Sequence, residues 1–583
     1  RFEGQPVKQY DGAWDPVKGV RTATPWIARG VNNFHKFMET GIINTNNVSL
    51  TTATDRSDTR ISISNMNQKG TAPNTKLHSY SLAVNTGYDL SDKLRFEVSV
   101  NLNKQYSPNI PDANYGPNSY IYMFKVYGSV DYNIDDLKNI YKGPQGVPDL
   151  IPYAQEYGRE NSAWFIAKKW LRSHDKTDIN GYARLIYKFN KDLNLALRTQ
   201  VTTWDQTRTE QVPAGINLNT YTPWYYFGWY GDYREDRRHL FENNTDLILN
   251  YAKKLGRFNI AAFAGGSERS FTYNSLYGTT KALAVPNVYA LTNSQQPYSP
   301  FTWGSKMQVY SGFYSFDLTF DKYLTLSNTG RVDHLSTLPS GNNTFFYPSV
   351  SLSSVVSDYV QLPTAISFLK VRGSFAAVKG GLTSPTVASA YTQVTGSSTN
   401  SLLGYGTDLY SSYDGPTYAN QNAYSLVSYY NNAPGVSFSS IIADPALKPF
   451  QVTSYEAGID MKFLKNRLGL DVTYFTSKNG PQIFALPIAS STTYTNENVN
   501  AITSMKKGFE VSLTGSPLRS NRGLNWDVMI NFSTYKETLD EIYGNMPDIG
   551  INGHYYKKGE RLDAIYERSF GHRQQYIPGI CQP

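Results

Sequence analysis

The chain has 583 residues, of which 17% are charged and 14% aromatic, with 46 Tyr, 28 Phe and 9 Trp; so aromatic and weakly charged a composition excludes disorder and a coiled coil. The 55 basic and 47 acidic residues are spread without a block of like charge, which leaves a nucleic-acid tail without support. One cysteine, Cys581, excludes a disulfide framework and a multi-cysteine metal site, no run approaches the roughly 20 apolar residues of a spanning helix, and what remains is an all-β protein with many turns.

Arg1-Phe2-Glu3-Gly4 opens as loop, with neither initiator Met nor secretory signal, so the chain reads as a fragment or processed product. Residues 1–46 are expected to be loop-like. From there, period-two alternation recurs in paired runs of about ten residues joined by short polar turns. The first hairpin pairs 48–53 with 60–67. In the second, 80–88 with 94–103, Leu94, Phe96, Val98, Val100 and Leu102 share one face, and Arg95, Glu97, Ser99, Asn101 and Asn103 share the other. Its partner alternates Tyr80, Leu82 and Val84 with Ser81, Ala83 and Asn85, through the turn Asp89-Leu90-Ser91-Asp92-Lys93. One face suits oil and the other suits water. The pattern continues as 182–189 with 193–204, 243–251 with 258–264, 310–320 with 323–332, 347–356 with 367–375, 454–463 with 468–475, and 508–513 with 524–532, which makes eight hairpins and sixteen strands.

The stretches between hairpins are often long: 106–177, 205–240, 265–306 and 379–449 are rich in Gly, Pro, Ser, Asn and Tyr. In a meandering sheet, alternate connections emerge at opposite ends, so the short turns gather at one end and the long loops at the other. That asymmetry predicts a transmembrane antiparallel β-barrel with short periplasmic turns and long extracellular loops. Tyr88, Tyr187, Phe189, Tyr251, Phe258, Phe320, Tyr323 and Phe463 lie beside the short turns, where amphipathic rings suit the headgroup level, although Tyr and Phe also favour strands for their own sake. A barrel of sixteen or more strands has a lumen that side chains do not fill, so its function is passage or a plugged channel. A propeller would repeat at roughly 40 to 50 residues, and no such period is present.

Several segments, in order, resemble the TonB-dependent outer-membrane transporters, specifically the SusC/RagA-like branch of the Bacteroidetes. Ile366-Ser367-Phe368-Leu369-Lys370-Val371-Arg372-Gly373-Ser374-Phe375 is similar to the family strand "isfLKlRaSyg", and Phe346-Tyr347-Pro348-Ser349-Val350-Ser351 before it to "fPSvslgw". Asp444-Pro445-Ala446-Leu447-Lys448-Pro449-Phe450 followed by Thr453-Ser454-Tyr455-Glu456-Ala457-Gly458 resembles "NPnLkPE…tsyeiGldl", with Asp444 in place of Asn and Phe450 in place of Glu. Lys506-Lys507-Gly508-Phe509-Glu510 resembles "NkGiE", and Asn67-Gln68-Lys69-Gly70 the early "nqkGi" hairpin. Arg331 and Asp333 sit where the family carries an "RxDgSsrF" loop, but His334-Leu335 replaces its continuation. The resemblance implies a receptor barrel over residues 47–570, holding about strands two to seventeen of about 22, with 571–583 as an unassigned tail. The family's amino-terminal domain and plug are not found in this sequence.

The resemblance further implies import of an oligosaccharide, or in some members a peptide, across the outer membrane of a Gram-negative cell. Its implied partners are a SusD-like surface lipoprotein, the TonB complex acting through a plug, and surrounding lipid or lipopolysaccharide, with a dimer of transporter–lipoprotein pairs as one arrangement. No cofactor and no enzymatic activity are expected: the seven His are never within four residues of one another, and neither a GxSxG elbow nor a GxxxxGK[ST] loop occurs. The segment that invites a binding hypothesis is Tyr221 to Tyr230, where Trp224, Tyr225, Tyr226, Trp229 and Tyr230 suit stacking on sugars or packing on peptide side chains, or else pack their loop onto the wall. Tyr405, Tyr410, Tyr413, Tyr418, Tyr429 and Tyr430 form a second aromatic loop of the same character. Asp232, Glu235 and Asp236 suit a cation site less well than a solvated acidic loop. The rival readings are a siderophore or cobalamin receptor, a passive porin, and a soluble all-β adhesin or glycan-degrading enzyme, the last of which predicts a sheet polar on both faces.

Overall fold

The computed structural model describes residues 3–8, 13–15, 17–18, 20–110, 119–122, 124, 130, 132–136, 138, 162–214, 230–380, 424–430, 433–438, 440–551 and 554–565. Sixteen long strands dominate it: β1 (Ile42–Ala53), β2 (Ser57–Lys69), β3 (Lys76–Asp89), β4 (Leu94–Asn109), β5 (Leu171–Lys188), β6 (Leu193–Val212), β7 (Asp232–Leu255), β8 (Phe258–Leu283), β9 (Ser294–Phe320), β10 (Leu324–Leu335), β11 (Thr344–Val355), β12 (Ile366–Gly380), β13 (Phe450–Phe463), β14 (Leu468–Pro487), β15 (Asn496–Leu518) and β16 (Trp526–Ile542). Each pairs antiparallel with the next along the chain. The strand order runs round a ring. At its seam, where β16 meets β1, no ladder register is formed among the described residues, and all twelve residues of β1 are exposed.

All eight expected hairpins are present. The turns at 54–56, 90–93, 190–192, 256–257, 321–323, 356–365, 464–467 and 519–525 lie at one end, and the connections between hairpins lie at the other. Cross-strand register sorts the side chains into two faces. Val100 lies opposite Val84, Leu102 opposite Leu82, Val84 opposite Ile61, and Leu82 opposite Ile63. On the same face of later strands, Leu197, Leu247, Leu249, Phe316, Leu326, Leu352, Tyr474 and Phe509 are all exposed. A soluble protein does not leave so continuous an apolar belt in water, whereas lipid is its natural solvent. Aromatic residues crowd the short-turn ends of this face: Tyr187 meets Phe189 at 5.0 Å, Phe258 meets Phe320 at 5.0 Å, and Phe320 meets Tyr323 at 5.6 Å.

The strands extend further at the long-loop end than the alternation predicts. Strand β8 has 26 residues and β9 has 27, while a tilted strand crosses a bilayer in about 9 to 11. Most of 205–212 and 232–240, expected as loop, is strand, as are 265–283 and 294–306. Beyond the bilayer the outward face no longer needs apolar residues, so the period-two signal disappears while the backbone ladder continues.

Candidate functional site

The face opposite the apolar belt forms the inner wall, and from β6 to β11 it changes character along the strands. Nearest the short turns is a cavity of about 670 Å³ lined by, among others, Arg198, Glu242, Asp246, Arg269, Phe313 and Arg331. Period two brings these residues to one face of five adjacent strands, and register brings opposite charges together. Arg198 lies directly across from Asp246 and donates Nε to Oδ2 at 2.9 Å. Arg269 donates Nε to Glu242 Oε1 at 2.8 Å, and Arg331 donates Nε to Asp333 Oδ1 at 2.8 Å and Nη2 to Ser311 Oγ at 2.8 Å. The Arg331 guanidinium also covers the Phe313 ring at 5.6 Å. Further round the wall, Arg372 makes a two-pronged contact with Asp471, both arms at 2.8 Å. A Cβ on Gly458 would come within 2.7 Å of this guanidinium, so a larger residue there would make Arg372 shift.

Above the cavity the wall turns apolar: Trp204, Leu240, Phe271, Tyr273, Met307, Val309, Leu335, Leu338 and Phe345 form one buried cluster. Above that layer lies a buried ionic network. Glu210 accepts from Trp170 Nε1 at 2.7 Å, Arg172 Nε at 3.2 Å and Arg234 Nη1 at 2.9 Å, and Arg234 Nε reaches Asp232 at 3.2 Å. One step lower, Asp236 accepts from Arg208 Nε at 3.1 Å and Arg238 Nε at 2.8 Å, while Gln206 Nε2 donates to His174 Nδ1 at 3.0 Å. Ladder register lines up Arg172, Glu210 and Arg234, and then His174, Arg208 and Asp236, across three strands. A helix, α1 (Ala163–Lys169), packs on these strand ends, with Phe165 joining Trp170, Val212 and Ala282 in a buried cluster. Trp170 thereby ties the end of α1 to Glu210.

These groups lie well past a bilayer's reach from the short turns, and burial acts strongly on them. It pushes Asp232 up to about 6, against the opposing pull of Arg234 and Thr280. For Glu210 and Asp236 the upward push of burial is more than offset by two guanidinium groups each, so both are held below the ordinary carboxylate range. His174 is held down to about 4 by burial, with Arg208 and Lys176 adding repulsion.

Of the aromatic residues singled out in the sequence, Tyr230 is exposed directly before β7, and Trp224, Tyr225, Tyr226 and Trp229 lie outside the described residues. Gly231 follows with φ +79°, and a Cβ there would approach the Val212 carbonyl oxygen to 2.5 Å, so the aromatic segment meets the wall through a junction that only glycine fits. Tyr405, Tyr410, Tyr413 and Tyr418 also lie outside the described residues; Tyr429 and Tyr430 belong to the short strand Tyr424–Tyr430. The acidic segment is not a solvated loop. It is the start of β7, where Asp232 and Asp236 point to the buried network and Glu235 pairs with Arg237 on the opposite face. Among the described residues no group of three His, Cys, Asp or Glu is placed to hold a metal ion. The inner-wall arginines were legible only as the polar half of an alternation, because the partner of each sits on another strand or two residues along its own.

Residues 125–571 match the family model described as TonB dependent receptor-like, beta-barrel. A stretch of 109 residues is 27% identical to TonB-dependent receptor P39 of Formosa agariphila, covering 19% of this chain and 10% of that protein. The fold is similar to the structure of the RagAB peptide transporter, with a TM-score of 0.72 and 14% identity over 97% of this chain and 57% of that one. It is similar also to the RagAB peptide importer in its closed-closed state, with a TM-score of 0.73 and 15% identity over 93% and 56%. The chain therefore spans little more than half the length of these solved relatives and a tenth of the curated one.

Proposed function

Because the chain belongs to the TonB-dependent receptor-like β-barrel family, we propose that it forms the wall of a SusC/RagA-like importer in the outer membrane of a Gram-negative bacterium. The observation that carries this reading is the two-faced ring of sixteen strands, apolar outside and lined with ion pairs inside. A wall of this circumference encloses a lumen too wide for its own side chains to fill, which suits a solute larger than those that cross a passive porin. The motif order around Ile366 to Phe375 and Asp444 to Gly458 supports the branch. On this reading the cargo is an oligosaccharide or a peptide, delivered by a SusD-like lipoprotein at the long-loop end, and the proton-motive force reaches the channel through TonB and a plug. Opening then requires the cargo to bind the open and closed states differently.

Trp224, Tyr225, Tyr226, Trp229 and Tyr230 are proposed as cargo anchors at that end, since rigid rings with polar tips hold a ligand at small entropic cost. The test is uptake of labelled oligosaccharides and peptides by cells that carry or lack the gene, with and without a protonophore. Uptake that follows the gene and collapses with the protonophore is expected, and gene-dependent uptake indifferent to the protonophore would favour a passive porin. Replacement of Trp224 and Trp229 together by Ala should weaken cargo binding; unchanged affinity and uptake would remove the anchor role.

A further inference from the structure

We propose that the turns 464–467 and 519–525 form a docking surface for anionic phospholipid headgroups in the membrane leaflet at the short-turn end, an inference that rests on the barrel spanning a membrane and not on what it carries. Residues 464–468 and 516–526 hold four cations, Lys465, Arg467, Arg519 and Arg522, and no Asp or Glu. All four are exposed. Among the described residues none of them forms an ion pair, whereas elsewhere at the same end Arg257 pairs with Asp321, Lys253 with Asp192 and Arg95 with Asp89. Asp527, which accepts from Ser516 Oγ at 2.5 Å, and Asp358 on the adjoining turn 356–365 offset two of the four at most. The two basic turns are held side by side: Ser516 N donates to Arg467 O at 2.8 Å, Arg467 N to Phe463 O at 3.0 Å, and Ser520 N to Asn525 Oδ1 at 2.8 Å. Their cations therefore present one surface.

The neighbouring side chains favour a lipid over an acidic protein or a free anion. Leu464, Leu468, Leu518 and Trp526 are exposed beside the cations. Leu468 starts the outward row that continues to Tyr474 on β14, and Trp526 the row that continues through Ile530 and Phe532 on β16, so both belong to the margin of the lipid-facing belt. An indole at that margin sits where acyl chains give way to headgroups. Cations just beyond it lie at the level of the lipid phosphates, which a guanidinium fork binds in two-pronged fashion and an ammonium as a point charge. A zwitterionic headgroup brings its own cation, so the surplus of positive charge selects a lipid of net negative charge. An acidic protein segment would complement the charges but not the apolar row, which needs acyl chains.

The test is native mass spectrometry of the full chain in detergent micelles, titrated with phosphatidylglycerol and with phosphatidylcholine of the same acyl chains. Phosphatidylglycerol should bind at least about fivefold more tightly, and the difference should vanish when Lys465→Gln, Arg467→Gln, Arg519→Gln and Arg522→Gln are combined. Lys93→Gln with Lys191→Gln, on other short turns, should leave it in place. Equal affinity for the two lipids in the unaltered chain overturns the proposal without requiring any variant to fold. An equal loss in the Lys93 and Lys191 variant also overturns it, because the preference would then follow net charge and not these turns. Inorganic phosphate or a polyglutamate peptide that displaces phosphatidylglycerol at equal concentration overturns the lipid assignment, in favour of a free anion or an acidic protein. A chain that enters neither micelles nor liposomes removes the membrane reading itself; insertion without headgroup preference sinks the surface alone.

Discussion

Val98 shows how much a single position decides. It lies across from Thr86 and Ala183 on the apolar face of β4, while Asn101 faces inward across from Ala83 and Asn180. Val98→Arg should cost about 2 to 4 kcal/mol of folding free energy in lipid if Val98 sits near the bilayer midplane, and Asn101→Arg close to nothing. Equilibrium unfolding of both variants in liposomes measures the difference, and equal costs would reverse the assigned faces. Asp232 illustrates the opposite environment, where burial rather than lipid dominates. With its carboxyl pushed up to about 6 from an ordinary 3.8, the folded state holds a proton between these values that the unfolded state lacks, so this residue makes stability rise as pH falls through that window. Removing it in Asp232→Asn should make stability fall more steeply on acidification between pH 6 and 4, by up to about 1.4 kcal/mol per pH unit. His174, neutral when folded down to about 4, acts in the opposite sense. Denaturant titrations of the Asp232 variant at pH 4, 5 and 6 check the sign.

At the scale of the element, the strands differ in how they are held. Strands β7 and β8 are paired on both sides, and β7 carries much of the buried ionic network. In contrast, β1 pairs on one side alone among the described residues, and β16 has a ladder on one side with, on the other, a bridge between Thr538 and Arg561 near its end. An edge strand opens at lower free energy than a strand locked between two neighbours. Hydrogen exchange of the protein in detergent should therefore label Ile42–Ala53 and residues 526–536 well before Asp232–Leu255, and protection of β1 equal to that of β7 would show that the seam is closed. The length of β7 follows the same reasoning. Asp232-Tyr233-Arg234-Glu235-Asp236-Arg237-Arg238 is polar at every position, so no periodicity marks it as a strand. It remains one because its inward charges, Asp232, Arg234, Asp236 and Arg238, pair with one another and with Glu210 and Arg208 on the strand beside it, which offsets the cost of removing them from water.

For the molecule as a whole, the separation of short turns from long connections makes a topological claim. If the short turns face the periplasm, an epitope inserted after Ser91 should be silent on intact cells and detectable after permeabilisation, whereas one inserted after Gly341, between β10 and β11, should be detected on intact cells. Flow cytometry distinguishes these outcomes, and the reverse pattern would invert the molecule in the membrane. The same orientation places the cavity between the short-turn end and the apolar layer, with the ionic network and α1 above it at the end where cargo would arrive.

Much of this architecture was legible along the chain. Alternation of Leu94, Phe96, Val98, Val100 and Leu102 with polar neighbours follows from a strand that separates lipid from water, and turns such as Asp89 to Lys93 mark where it reverses. Local pattern sufficed there because each strand meets the same two solvents. What only the tertiary structure decided is which charges meet. Arg198 finds Asp246 48 residues away, and Arg372 finds Asp471 99 residues away. Both pairings depend on ladder register and on the closeness of neighbouring strands, which no spacing along the chain encodes. The cavity lined by these ion pairs exists only once β6 to β11 stand side by side.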